Sequence, residues 1–174
     1  MKLDVQSIVR DHWRTLTKGQ SATASLTDFL TFLGLPLIAA IVAGQHGLEL
    51  KIDAYNVSVT FFGIFIALLL NIQVAIFAIF QRKWTVSDDP IEAKIQQGVV
   101  DVRRQLLGEL NANISYLVLV CCTALFVSLC AYVAEWKQGF VPAAIAFLYG
   151  HFLLTLLMVV KRSHAVFQQE YKRS

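Results

Sequence analysis

Residues 57–80 read VSVTFFGIFIALLLNIQVAIFAIF, a stretch with no charged residue and two amides, Asn71 and Gln73. At about 1.5 Å per residue a helix of this length exceeds the roughly 30 Å hydrocarbon core of a bilayer, so the stretch reads as a membrane span. Both amides fall in its inner half near the midplane, where a lone helix in lipid offers them no hydrogen-bond partner. The span is therefore expected to pack against other helices, as the central element of an assembly.

The chain has 174 residues, 56% of them hydrophobic, and its charges are bunched into separate blocks. A soluble globule of this composition would expose too much apolar surface, which points to an all-α integral membrane protein. The criterion of about 20 apolar residues adds spans at 26–44, 114–134 and 140–160, giving four transmembrane helices in a single membrane domain, 1–174. Val42 and Gly44 also resemble a signal-peptide cleavage site. The preceding segment is too long and too amphipathic for a leader, so the first span is expected to be retained.

Lys and Arg set the orientation. Thirteen fall in the N-terminal arm (Lys2, Arg10, Arg14, Lys18), the central loop (Arg82, Lys83, Lys94, Arg103, Arg104) and the tail (Lys161, Arg162, Lys172, Arg173), against Lys51 and Lys137 in the other two loops. By the positive-inside rule both termini and the central loop are cytoplasmic. No basic run is compact enough to predict direct nucleic-acid binding. Cys121, Cys122 and Cys130 all lie in the third span and read as small packing residues, without the spacing of a metal site.

Along the chain, residues 1–17 set Val5, Ile8, Val9, Trp13 and Leu16 opposite Arg10, Asp11 and Arg14. This amphipathic helix is suited to the membrane surface or to a partner protein, with Trp13 as a contact. Ser25 and Asp28 form a capping box for the first span, whose Pro36 removes a backbone donor and needs support from a neighbouring helix. In the loop 45–54, Leu48, Leu50 and Ile52 alternate with Glu49, Lys51 and Asp53, a period of two that predicts a short strand paired with its copy. In the second span Thr60, Gly63, Ala67, Asn71, Ala75 and Ala78 form a stripe for close helix contact, and Gln73 lies about 200° around from Asn71.

Asp89, Pro90 and Glu92 mark the start of an amphipathic cytoplasmic helix, 90–110, with a seam of Ile91, Ile95, Val99, Val102, Leu106 and Leu110 that needs a partner. It can run straight into the third span, with Gly108 and residues 111–113 as hinges. There Cys121, Ala124, Ser128 and Ala131 share one face, and the turn at Gly139 returns the fourth span antiparallel. The fourth span offers Ala143, Ala146 and Gly150 as its small face. His151, an ionisable group at depth, reads either as a proton relay or ligand site or as a neutral imidazole bonded to another helix. The tail 161–174 is basic and suits an interface with lipid or a partner.

There is no Gly-rich phosphate loop, no HExxH or CxxC pattern and no nucleophile grouped with His and an acid, so no enzyme, catalytic residue, metal or cofactor is expected. Two classes of function remain. One is an oligomeric sensor or scaffold that holds a soluble partner through its cytoplasmic helices; the other is a pore lined by Asn71, Gln73 or His151.

The four spans, the cytoplasmic termini, the amide-bearing second span ending in Phe80-Gln81-Arg82-Lys83-Trp84 and the amphipathic cytoplasmic helix resemble the small membrane subunit of the bacterial Kiwa antiphage defence system. The resemblance covers the whole chain and is architectural, so no functional residue is carried over. It implies a homo-oligomer, such as a tetramer, in the bacterial inner membrane. That assembly would respond to membrane disturbance during phage attachment and work with a cytosolic effector protein. Membrane effectors of antiviral signalling systems share the outline and represent the pore reading.

Overall fold

The computed structural model describes residues 5–17, 29–81 and 89–171, which are helical apart from short turns. Helix α1 (Val5–Thr17) is followed by a π-helical turn, Leu30–Gly34, that runs into α2 (Leu35–Gln45). Then come α3 (Ile52–Phe80), α4 (Pro90–Val133) and α5 (Phe140–Tyr171). Among the described residues three helices, α3, α4 and α5, are long and apolar enough to cross a membrane, whereas Leu30–Gln45 is a shorter apolar piece. The Ser25 and Asp28 cap expected for the first span lies outside the described residues, as do Arg82 to Trp84 and the chain end beyond Tyr171.

Helix α4 carries the architecture. It has 44 residues, about 66 Å at 1.5 Å per residue, roughly twice the thickness of a hydrocarbon core. The Asp89 carboxylate accepts the Ile91 N–H at 2.8 Å, and Pro90 fills the first turn, where its missing N–H costs nothing. Gly108 and residues 111–113 are helical, so the cytoplasmic helix and the third span of the sequence reading are one unbroken rod. Its continuity follows from apolar spacing: Leu107, Leu110, Ile114, Leu117 and Cys121 keep a buried face running through the junction.

The stretch 57–80 is accordingly not the centre of the protomer. Helix α4 packs against α3 on one side and α5 on the other, α2 packs on α5, and α1 packs on α4. Phe62, Leu69 and Ile76 turn one side of α3 into this core, while Val57, Ile64, Leu68, Val74 and Phe77 remain exposed. The alternation in the 45–54 loop forms no strand. Leu48, Leu50 and Ile52 are half-buried while Glu49, Lys51 and Asp53 are exposed, so the period of two records burial of an extended segment over the bundle. One backbone bond, Leu50 N–H to the Lys137 carbonyl at 3.1 Å, ties that segment to the turn between α4 and α5.

Two helix ends close in the same way. After α2, Gly47 (φ 68°) and Leu48 donate back to the Gly44 and Ala43 carbonyls; after α4, Glu135 (φ 54°) and Trp136 donate to Tyr132 and Ala131. This is the Schellman pattern, whose left-handed position favours glycine. Glu135 occupies that position with a side chain, so Glu135→Gly is expected to raise the thermal midpoint in detergent slightly, by relief of about 1 kcal/mol of backbone strain. Gly47→Ala should lower it, and the paired melting curves test both.

Candidate functional site

Pro36 has no N–H, so the Phe32 carbonyl one turn earlier lacks the donor that an α-helix would supply. The His151 ring fills the gap: its Nδ1 lies 2.8 Å from the Phe32 oxygen, and its Nε2 lies 2.8 Å from the Tyr116 hydroxyl. A carbonyl only accepts, so Nδ1 carries the proton and Nε2 accepts from Tyr116; a neutral imidazole satisfies both contacts. Close approach of the two helices depends on Gly150, where a Cβ would come within 3.2 Å of the Pro36 Cβ.

The polar line continues into α1. The Tyr116 ring stacks on His12, with centroids 3.8 Å apart and planes 4° from parallel. His12 Nδ1 donates to Asn113 Oδ1 at 2.8 Å, and Thr15 Oγ1 lies 2.9 Å from the same oxygen and 2.7 Å from the His12 carbonyl. The Asn113 amide nitrogen donates to the Glu109 carbonyl at 2.7 Å, which fixes the amide so that its oxygen faces α1. Arg162 of α5 donates to the Thr15 carbonyl at 2.7 Å and pairs with the Glu109 carboxylate at 3.4 Å. His12, Thr15, Asn113 and His151 are all buried. One network of side chains therefore joins α1, the π-helical turn, α4 and α5.

Burial holds the His12 imidazole down at about 4 against its usual 6.5; its bond to Asn113 acts the other way, and the nearby His151 and Arg162 side chains add smaller lowering effects. At neutral pH His12 is uncharged, and its proton sits on Nδ1.

Gln73 also finds a partner, donating to Ser115 Oγ at 2.7 Å, with Asn111 Oδ1 at 3.4 Å. Gln73→Leu is expected to cost about 1 kcal/mol, read as a modest fall in the thermal midpoint. Asn71 and Ala67 are exposed, and Gly63 is partly covered, with Leu125 3.8 Å from its Cβ position. The stripe containing Asn71 thus looks away from the bundle, and Gln73 looks into it. Ser128 is fully buried within α4, and among the described residues its hydroxyl has no hydrogen-bond partner. Trp13 is half-buried against Phe29, at 5.2 Å between centroids. Ile91, Ile95 and Val102 are exposed, while Val99 and Leu106 are partly covered.

The structure thus separates the three polar groups expected from sequence within the spans: His151 and Gln73 are bonded within the protomer, and Asn71 is left outside. It also brings in His12, Thr15, Ser115 and Tyr116, which the sequence pattern does not single out, together with Asn113, expected only as part of a hinge, and Arg162, expected only as a topology charge. His12 sits four residues after Ile8 and three after Val9, inside the apolar arc of α1, and Asn113 sits three after Leu110 on the seam of α4. Polar residues inside apolar stripes were the available signal.

Comparison with protein-family models, curated proteins and solved structures finds no match to this chain.

Proposed function

We propose that the chain is a membrane sensor and scaffold in which α1 is the movable element and α4 the output. Two features support this reading: α4 is a single rod from the apolar bundle to Ile91, and α1 is clasped by polar bonds to Asn113 of α4 and Arg162 of α5. The first carries the proposal, because a rigid helix shared by membrane and cytosol transmits a change at one end to the other. In this reading the arginine-bearing end is cytoplasmic, and the chain inserts as four spans with both termini inside. Copies assemble in a bacterial inner membrane and, in the manner of the Kiwa small subunit, membrane disturbance during phage attack recruits a cytosolic effector. The apolar seam at Ile91, Ile95 and Val102 is the surface offered to that effector.

Purification in mild detergent with mass determination and identification of co-eluting proteins tests the proposal. The chain is expected to run as a homo-oligomer with a soluble partner, and Ile91→Asp with Ile95→Asp to lose the partner while keeping the oligomer. A strict monomer without a partner would overturn it.

One observation favours a second reading, a pore-forming effector. The exposed Asn71 amide can face a conduit between copies. Ion flux in liposomes that Asn71→Leu abolishes would support the pore; absence of flux together with partner binding would exclude it.

A further inference from the structure

Helices α2 and α5 touch at two levels. One turn past Phe147, Gly150 meets Pro36, and nearer the turn between α4 and α5 a Cβ at Gly44 would lie 3.5 Å from the Ala143 Cβ. Along this seam runs a groove of about 590 Å³. Small residues, Ala40, Gly44, Ala143 and Ala144, form its floor, while Leu37 and Ile41 on α2 and Phe140 and Phe147 on α5 stand along its sides. The groove begins where α2 ends and α5 starts, the end that the Leu50 to Lys137 backbone bond ties together, and its lining stops beside the contact of Pro36 with Gly150. From Leu37 to Gln45 that is about 12 Å of helix, close to half of a roughly 30 Å hydrocarbon core. The groove is one leaflet deep. Gln45, exposed at its water-side end, is the only polar side chain among the described lining residues.

We infer that this groove holds one acyl chain of a phospholipid from the leaflet at the turn between α4 and α5, with the Gln45 amide donating to the ester carbonyl where the chain joins its headgroup. Depth decides between a lipid and a second copy of the chain. A spanning helix from another copy crosses both leaflets and needs a furrow that continues past the midplane, whereas this one ends there. An amphiphile with an apolar tail one leaflet long and an acceptor at its water-side end matches both the depth and the single amide. At the inner end the Phe147 ring lies along His151, with centroids 5.8 Å apart and planes 1° from parallel. The end of the acyl chain therefore abuts the residue that bonds Phe32 and Tyr116. The inference deepens the sensor reading by naming what enters the bundle from the membrane, and it rests on that reading only for the membrane setting.

Photocrosslinking of the full chain in phosphatidylglycerol vesicles, doped with phosphatidylglycerol carrying a diazirine near the end of one acyl chain, tests the site. Adducts mapped by mass spectrometry are expected to be about fivefold denser on residues 37–41 and 144–147 than on the exposed Ile64 and Leu68 of α3, because a chain held between two walls stays longer than one passing a convex helix. Ala144→Phe fills the groove and should abolish the excess, and Ala144→Leu, a smaller filling, should lower it. Val74→Phe, on α3 outside the groove, should leave it unchanged. Equal labelling of α3 and the groove, or an excess that survives both Ala144 substitutions, would overturn the site. A photoreactive benzoylphenylalanine in place of Ile41 should capture lipid; capture of a second copy instead would overturn the lipid as occupant. The adduct map is read on the purified chain, so it stands or falls separately from whether an effector co-purifies.

Discussion

His151→Leu is expected to lower the thermal midpoint of the detergent-solubilised protein by about 10 °C. Leucine is close to histidine in size, so the loss is polar. It leaves the Phe32 carbonyl without its donor and the Tyr116 hydroxyl without its acceptor, in a site where His151 is only 3% exposed. Each stranded group costs on the order of 1–3 kcal/mol, and a kilocalorie moves the midpoint of a chain this size by about 2–4 °C. Pro36→Ala supplies a control specific to this mechanism. It restores the N–H that Phe32 lacks, so the double variant His151→Leu with Pro36→Ala should recover part of the loss. Additive behaviour of the two substitutions would show that Pro36 and His151 are not coupled through the Phe32 carbonyl.

The coupling also explains what could be read from the residues alone. Composition and run length are properties of whole segments, and they predicted the long apolar helices and the Asp89-Pro90 start. The need of Pro36 for outside support and the option of a neutral, bonded imidazole at His151 were each legible, but as separate facts. Joining them requires knowing that α2 lies on α5, and helix adjacency is not encoded in periodicity. The same gap accounts for α3. Asn71 and Gln73 are two residues apart and chemically alike; only the position of α4 decides that Gln73 meets Ser115 while Asn71 faces outward. In the 45–54 loop the alternation does not distinguish a strand from a covered loop, because half-burial against a bundle imposes the same period of two as pairing in a sheet. In α1 a histidine sits within the apolar arc, and it makes the bond that docks the helix.

Docking of α1 is expected to weaken as pH falls from about 6.5 toward 4, and to be independent of pH above that window. Free of the bundle, His12 titrates near 6.5; docked, it is held at about 4. Between those values the undocked helix binds a proton that the docked helix refuses, so acidification favours undocking, by up to about 1.4 kcal/mol per pH unit and about 3 kcal/mol in all. The surroundings set the direction. From α5, Arg162 brings a positive charge and His151 a neutral ring; from α4, Asn113 presents an oxygen already occupied, Tyr116 a stacked face, and Glu109 a carboxylate committed to Arg162. None of them offers His12 a free anion. Amide hydrogen exchange over residues 5–17, corrected for intrinsic rates, should rise steeply below pH 6 in the native chain. His12→Gln keeps a donor for Asn113 and removes the titration, so its exchange should stay flat over the same range. A native profile as flat as that of the variant would mean that His12 does not control docking. Asn113→Leu should undock α1 at every pH, because it strands the buried His12 Nδ1–H, whereas Thr15 keeps the His12 carbonyl as acceptor.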